Sequence, residues 1–297
     1  MAELRWGDGL TTWYEVAGEG GGGRAPVVVC HGGPGATHDY VRSIANLARD
    51  GRQVVLYDQV GNGRSQHLPD APADFWTVEL FRRELHALVD HLGWRGGYHV
   101  VGQSWGGMLA MEHALERPAG LRSIVVADSP ASMTLWVAEA NRLRAELPAD
   151  VQEALTRHEA AGTTDDPAYH AAMDVFYRRH VCRLDPWPDE VLRSFAQMEE
   201  DPTVYGTMNG PSEFHVIGTI RDWDITERLP EIAVPTLLVS GRHDEATPRI
   251  VGEIRDRIPG SEWVLFEQSS HMPHVEEPEA FLEAVGAFLE RADRRAA

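Results

Sequence analysis

Gly102-Gln103-Ser104-Trp105-Gly106 is the stretch of sequence that decides the fold of this chain. It follows the β-branched run Tyr98-His99-Val100-Val101 and precedes a segment with helical character. A G-x-S-x-G pentapeptide between a strand and a helix predicts a sharp turn, because the glycines let the chain reverse while the serine hydroxyl stands above the sheet. The first N–H groups of the helix then point to the same place. Ser104 is therefore predicted to be a nucleophile.

A serine nucleophile needs a base, and the base needs an acid that orients it. On this kind of turn the partners follow in the order acid, then histidine, each just after a strand. Residues 235–241 are predicted to form a buried strand, and the next loop carries Asp244. Residues 262–266 are predicted to form another strand, and the loop after it carries His271. We expect His271 to be the base and Asp244 to be its acid.

Each partner has a rival in the sequence. Asp128 ends the predicted strand Ile124-Val125-Val126-Ala127 and is the alternative acid. It ranks second because Asp244 lies in a tighter loop that a glycine begins. His274 lies close to His271 and is the alternative base.

Two backbone N–H groups are predicted to form an oxyanion hole, the pair of donors that stabilises a negatively charged oxygen during acyl transfer. One belongs to Trp105, the residue after the nucleophile. The other is assigned to Gly33, because His31-Gly32-Gly33-Pro34-Gly35 follows a predicted strand over residues 26–30. Glycines at this point let backbone amides approach a substrate closely.

Composition excludes several classes of function. The chain has 297 residues and a formal charge of −19 at pH 7, which would repel nucleic acid and anionic lipid, so we expect neither as a partner. It contains no lysine, which excludes Schiff-base chemistry, a pyridoxal site and a Walker-type phosphate loop. The two cysteines, Cys30 and Cys182, have no metal-binding spacing, so a zinc site and a disulfide framework are not expected. We expect no metal and no organic cofactor.

The first 25 residues carry several acidic side chains and no long apolar run, so neither a signal peptide nor a membrane anchor is predicted. We therefore expect a cytoplasmic protein. The oligomeric state stays open, and a monomer is compatible with the sequence.

Strand and helix patterns alternate up to about residue 130, which predicts an α/β fold with a mostly parallel sheet. The predicted strands cover residues 11–17, 26–30, 53–58, 98–103 and 122–127. A helix is predicted over residues 76–92 with Thr77 as its N-cap. Residues 131–225 are instead predicted to form helical segments broken by prolines, and further strands are predicted near 235 and 262. We expect a core of residues 1–130 and 226–297, with residues 131–225 as a helical cap over the active site.

Several motifs together resemble the proline iminopeptidase family of α/β-hydrolases, and in particular its tricorn-interacting aminopeptidases. The resemblance covers nearly the whole chain. Its motifs are His31 to Gly35, Tyr57-Asp58-Gln59-Val60-Gly61-Asn62-Gly63-Arg64-Ser65, Gly102 to Gly107, Met208-Asn209-Gly210-Pro211-Ser212-Glu213-Phe214, Gly241 to Pro248, and Ser270-His271-Met272-Pro273.

This resemblance implies the α/β-hydrolase fold and the removal of one N-terminal residue from a short peptide, an amino acid amide or an aminoacylated small molecule. It implies that Ser104, Asp244 and His271 form the triad. It also implies that Glu213 and Glu245 hold the substrate's free α-amino group, with Tyr205 as a weaker candidate for lining that site. The second implication has a physical reason, since the cationic amine is the one feature that distinguishes a chain end from the middle of a chain.

Three alternative functions stay open at this point. The same machinery could remove an aminoacyl group from a biosynthetic natural-product intermediate. A carboxylesterase or lactonase would act on uncharged acyl esters and would not need Glu213. A non-catalytic ligand receptor would lack a triad member or the oxyanion loop, and the sequence contains all of them.

Overall fold

The central element is an eight-stranded sheet, seen in a computed structural model that describes residues 2–21 and 23–296. The strands are β1 (Ala2–Trp6), β2 (Leu10–Ala17), β3 (Val27–Cys30), β4 (Val54–Tyr57), β5 (Tyr98–Gln103), β6 (Leu121–Ala127), β7 (Thr236–Gly241) and β8 (Glu262–Phe266). Their order across the sheet is β1-β2-β4-β3-β5-β6-β7-β8. The pairs β1–β2 and β2–β4 are antiparallel, and all other neighbours are parallel. The predicted mostly parallel α/β fold is confirmed.

Strand β1 was not predicted from the sequence. It is an edge strand that pairs with β2, with Trp6 opposite Leu10. Its alternation of exposed and buried residues, with Leu4 and Trp6 facing the core, is the ordinary signal of a strand with one buried face. The signal is short, because only two apolar side chains carry it.

Helices cover both faces of the sheet, as a parallel sheet requires. They are α1 (Val78–His91), α2 (Trp105–Leu115), α3 (Met133–Arg144), α4 (Ala149–Ala161), α5 (Pro167–His180), α6 (Asp189–Glu200), α7 (Thr203–Met208), α8 (Pro248–Arg257), α9 (Pro273–Glu276) and α10 (Pro278–Ala296). Short 3-10 helices cover Arg42–Gly51, Ala73–Phe75, Trp94–Gly96 and Thr226–Glu231.

Helix α1 begins where the sequence predicts it. The hydroxyl of Thr77 accepts a hydrogen bond from the backbone N–H of Leu80, as an N-cap does. Leu85 and Leu88 are fully buried on its apolar face. Helix α10 likewise buries the face that contains Phe281 and Val285.

Two features of this architecture position the candidate site. The carboxyl ends of the parallel strands meet at one edge of the sheet, so the residues that follow β3, β5, β6, β7 and β8 lie near one another. Helices α3 to α7 lie between β6 and β7 in sequence, within the predicted cap of residues 131–225. The exact domain boundaries stay a prediction. Within residues 2–21 and 23–296, no helix combines the length and the apolar character needed to cross a membrane.

Candidate active site

Ser104 occupies the tight turn between β5 and α2. Its backbone angles are φ 56° and ψ −122°, which place a non-glycine residue in a costly left-handed region. The neighbouring glycines are required by space: a Cβ on Gly106 would lie 2.0 Å from the carbonyl oxygen of Cys30, and one on Gly102 would lie 2.0 Å from that of Gly106. The turn therefore holds the Ser104 side chain in one direction, toward a cavity that it helps to line.

His271 lines the same cavity and is bound to Asp244. Its Nδ1 lies 2.7 Å from Oδ1 of Asp244, and this oxygen also accepts a hydrogen bond of 2.8 Å from the backbone N–H of Ala246. A proton on Nδ1 leaves the lone pair on Nε2, the tautomer that a general base needs. Burial lowers the pKa of His271, but the charge and hydrogen bond of Asp244 outweigh it, so the pKa lies above its usual value.

Neither of the two rivals forms this pair. The Nε2 of His274 contacts the backbone carbonyl of Tyr40 at 3.1 Å, and burial lowers the pKa of His274 to about 3. Asp128 follows β6 and is buried, but its side chain faces Asp244 rather than His271. Of the two candidate pairs, the structure brings together Asp244 and His271.

The proposed oxyanion donors flank Ser104. Gly33 lines the cavity beside Ser104, with a φ of 111° that favours glycine. Trp105 is the first residue of α2, where backbone N–H groups have no partner within the helix. The Trp105 ring is fixed separately, since its Nε1 donates to the Gln59 side chain at 2.8 Å. Both residues therefore lie beside Ser104, and their role as oxyanion donors stays a prediction.

A chain of hydrogen bonds joins the oxyanion loop to the histidine loop, and sequence reasoning missed it. The N–H of Gly32 donates to the hydroxyl of Tyr40 at 2.6 Å. That hydroxyl donates to the side-chain oxygen of Gln103, whose amide donates to the backbone carbonyl of His271 at 2.7 Å. We call this chain the Tyr40–Gln103 bridge. The position of Gln103 inside the pentapeptide was a signal for it, whereas nothing in the sequence marked Tyr40.

Glu213 and Glu245 both line the cavity that contains Ser104 and His271. Glu213 accepts a hydrogen bond of 2.7 Å from the hydroxyl of Tyr205, so Tyr205 reaches the site through Glu213. The backbone N–H of Glu213 donates to the hydroxyl of Tyr177 at 3.3 Å, a second contact that the sequence did not indicate. Burial raises the pKa of Glu213, and the Tyr205 hydrogen bond opposes that effect.

Glu245 is the more unusual of the two glutamates. It is 0% exposed, and neither of its carboxyl oxygens has a hydrogen-bond partner among the described residues. Its Oε1 lies 3.8 Å from Nε2 of His271. Burial, followed by the charges of Glu213 and Asp244, raises its pKa well above the usual range. A buried acceptor without a donor is costly, and a cation placed in the cavity would satisfy it.

The rest of the cavity wall is mainly apolar. It includes Val181, Phe195, Met198 and Met272. In the described part of the chain, no arginine lines this cavity and no group of three or more His, Cys, Asp or Glu residues is placed to hold a metal ion. The arrangement can therefore combine a serine nucleophile with recognition of a small organic cation.

Comparison with known proteins agrees with this architecture. The family model for the alpha/beta hydrolase fold matches residues 25–278. The proline iminopeptidase of Heyndrickxia coagulans is 40% identical over 278 residues, which cover 93% of this chain and 94% of the relative. The crystal structure of the proline iminopeptidase of Mycobacterium smegmatis is 50% identical with a TM-score of 0.93, covering 100% of this chain and 99% of that one. The crystal structure of VinJ is 53% identical with a TM-score of 0.95, covering 98% of each chain.

Proposed function

Because this chain belongs to the proline iminopeptidase family of α/β-hydrolases, whose members are serine aminopeptidases, we propose that Ser104, His271 and Asp244 form its triad. We further propose that it releases the N-terminal residue of small substrates that carry a free α-amine. These substrates are a short peptide, an amino acid amide or an aminoacylated small molecule. The relatives are named for proline, so proline is the first residue to test.

The chemistry follows from the contacts. The oxygen of Ser104 attacks the carbonyl carbon of the N-terminal residue while Nε2 of His271 takes its proton. The N–H groups of Gly33 and Trp105 stabilise the oxyanion. The intermediate collapses when His271 gives the proton to the leaving amine, which leaves an acyl group on Ser104. Water, deprotonated by His271, then attacks the acyl carbon. The bond to Ser104 breaks as His271 returns this proton to the serine oxygen, which releases the free amino acid and restores the serine. Asp244 holds His271 in the required tautomer throughout.

The proposed specificity for a free α-amine rests on one observation: the carboxyl group of Glu245 lines the cavity of Ser104 and has no hydrogen-bond partner among the described residues. Glu213 lies in the same wall and has one oxygen bound to Tyr205. An ammonium group has three donors, so it can bond to more than one carboxylate at a time. The α-amino group has a reference pKa of about 7.7–8.0, so most substrate molecules carry the charge at neutral pH. The two glutamates would therefore select a chain end.

Residues 131–225 are proposed to act as a cap that determines which substrates enter. Phe195 and Met198 of α6 and Val181 after α5 line the cavity, as expected for a selecting cap. Replacing Phe195 with alanine should change the preference among first residues or leaving groups. It should leave the discrimination between free and acetylated amines unchanged. An unchanged substrate preference would contradict this role.

A panel of chromogenic aminoacyl amides tests the function. Prolyl, alanyl and phenylalanyl amides are compared in free and N-acetylated form, together with an uncharged acyl ester. Cleavage restricted to free amines supports the aminopeptidase. Similar rates on free and acetylated substrates would refute it, and activity confined to the ester would indicate an esterase. Ser104→Ala serves as the control for background hydrolysis.

The proposed location is the cytoplasm. Cys30 and Cys182 are both free and buried, and free thiols persist in a reducing compartment. Fractionation of the producing cells tests this, and recovery of the protein outside the cytoplasmic fraction would contradict it.

A further inference from the structure

Asp128 is a buried acid directly behind the proposed triad. It follows β6 with a φ of 55°, a left-handed conformation that is uncommon for residues other than glycine. Its backbone N–H donates to the carbonyl of Val239 at 2.8 Å, which ties it to β7. Its side chain is 0% exposed. The side chain is therefore held in place between two central strands.

Among the described residues, the charged groups that act most strongly on Asp128 are acids. Its carboxyl interacts with the carboxyls of Asp244 and Glu276 and with the backbone N–H of Gly241, and the hydroxyl of Tyr40 is close enough for its pKa to be raised by the Asp128 charge. Neither oxygen of Asp128 accepts a hydrogen bond of good geometry from the described residues, and Oδ2 of Asp244 accepts none either. The other oxygen of Asp244, Oδ1, already binds His271 and Ala246.

Two adjacent carboxylates in a dry site cannot both stay ionised, because each raises the free energy of the other's charge. A proton shared between them removes that repulsion and provides the missing donor. The side chains of Asp128 and Asp244 are within hydrogen-bonding reach of each other. A single proton therefore pairs one oxygen of Asp128 with Oδ2 of Asp244.

We propose that Asp128 is a positioning residue that keeps its proton and donates it to Oδ2 of Asp244, so that the acid of the triad is a hydrogen-bonded carboxyl pair with one negative charge. This inference rests on the proposed pairing of Asp244 with His271.

Two consequences follow for the triad. The O–H of Asp128 fixes the rotation of the Asp244 carboxylate, so Oδ1 stays directed at Nδ1 of His271. The pair also presents His271 with one negative charge instead of two. Burial and the charge of Asp244 raise the pKa of Asp128 well above its usual range, in agreement with this assignment.

The pH dependence of His271 has other contributors that must be held constant. Asp244, Glu213 and Glu276 all raise its pKa, and Glu245 lies 3.8 Å from its Nε2. His274 is also close, but its lowered pKa keeps it neutral near pH 7. A variant at Asp128 leaves all of these groups in place.

Asp128→Asn and Asp128→Gly separate the possibilities. The amide of asparagine keeps a neutral donor and tolerates a positive φ, whereas glycine accepts the same backbone and removes the donor. We expect kcat/KM of Asp128→Asn to stay within about threefold of the wild type, with the acid limb of its pH profile unmoved. Asp128→Gly should lose roughly tenfold to a hundredfold, the worth of a charge-assisted hydrogen bond. A shift of the Asp128→Asn acid limb to lower pH by about one unit or more would show that Asp128 is ionised, and would overturn the proposal.

The protonation of Asp128 can also be measured in the wild-type protein alone, so the test needs neither a folded variant nor a substrate. Carbon-13 labelling of the aspartate carboxyls should give one resonance with the shift of a protonated acid at pH 7. That resonance should be absent from Asp128→Asn when this variant folds. If every aspartate carboxyl of the wild type is ionised at pH 7, the proposal fails. Because this measurement is independent of turnover, its outcome is distinguishable from a failure of the proposed aminopeptidase activity.

Discussion

Replacing Glu245 with glutamine should lower activity and raise stability at the same time. The side chain is 0% exposed and both of its oxygens lack a partner among the described residues. Glutamine keeps nearly the same shape and removes the charge. Glu213 has fewer free acceptor sites for a substrate amine, because one of its oxygens already accepts a hydrogen bond from Tyr205. The effect of Glu245→Gln should therefore exceed that of Glu213→Gln.

The loss of activity follows from one charge-assisted hydrogen bond. Such a bond contributes about 1.5–3 kcal/mol, and each 1.4 kcal/mol is about tenfold. We expect kcat/KM for free aminoacyl amides to fall about tenfold to a hundredfold. Any residual cleavage of N-acetylated substrates should not change, since they carry no ammonium.

The gain in stability depends on pH in a defined direction. The pKa of Glu245 is raised in the folded protein, so the folded state holds this proton more tightly than the unfolded state does. Stability is therefore lost as pH rises from the unfolded pKa toward the folded one, by at most about 1.4 kcal/mol per pH unit. A glutamine at position 245 does not titrate, so the variant does not lose stability in this way as pH rises. The melting temperature of Glu245→Gln should match the wild type near pH 4 and exceed it increasingly at higher pH.

Steady-state kinetics and thermal melting, both measured from pH 4 to 8, test the expected fall in kcat/KM and the expected rise in melting temperature together. Glu253→Gln is the matched control, because Glu253 lies on α8 and pairs with Arg257 at the surface. This control should change neither quantity. If Glu245→Gln keeps full activity on free amines, or loses equal activity on acetylated ones, the assignment of Glu245 to the substrate amine is refuted.

Three further predictions concern the triad and its support. Ser104→Ala should abolish labelling by a serine-directed phosphonate and lower kcat on the order of 10⁶-fold, whereas retained stoichiometric labelling would place the nucleophile elsewhere. The pKa seen in the acid limb of kcat/KM should lie above the usual histidine pKa, because Asp244 raises the pKa of His271. In Asp244→Asn the acid limb of the residual activity should move to lower pH, because the effect of burial on the pKa of His271 is then no longer opposed by that carboxylate. Tyr40→Phe should cost about 1–3 kcal/mol for each group that it leaves unpaired, seen in denaturant unfolding, and should lower kcat/KM alike for all substrates; a selective loss would contradict a supporting role.

The sequence predicted most of the sheet, because buried parallel strands are continuous β-branched runs bounded by turns. Residues 98–103 and the segments near 235 and 262 occur as strands β5, β7 and β8. The family resemblance drawn from the motifs is confirmed as well. Strand β1 was not predicted, because it is an edge strand that contains only two buried apolar side chains.

The site shows where sequence reasoning ends. Motif order could name Asp128 and Asp244 as acids that follow neighbouring strands, but only distances in space show that Asp244 binds His271 and that Asp128 lies behind it. The Tyr40–Gln103 bridge joins three segments that are far apart in sequence: the connection that contains Gly32 and Tyr40, the end of β5, and the loop of His271. No local pattern encodes such contacts. The burial of Glu245 could not be predicted from the sequence either, although burial is what raises the pKa of this side chain.

The burial of Glu245 explains why selection for an amine can be strong in a small cavity. At an effective dielectric of about 20, two opposite unit charges about 4 Å apart attract by about 4 kcal/mol, several times more than in water. In the free protein the same low dielectric disfavours the carboxylate, which raises the pKa of Glu245. A bound ammonium supplies the missing donor and favours the charged form. The groups that destabilise the free site are therefore the groups that bind the substrate, and a neutral N-acetyl group would gain nothing from them.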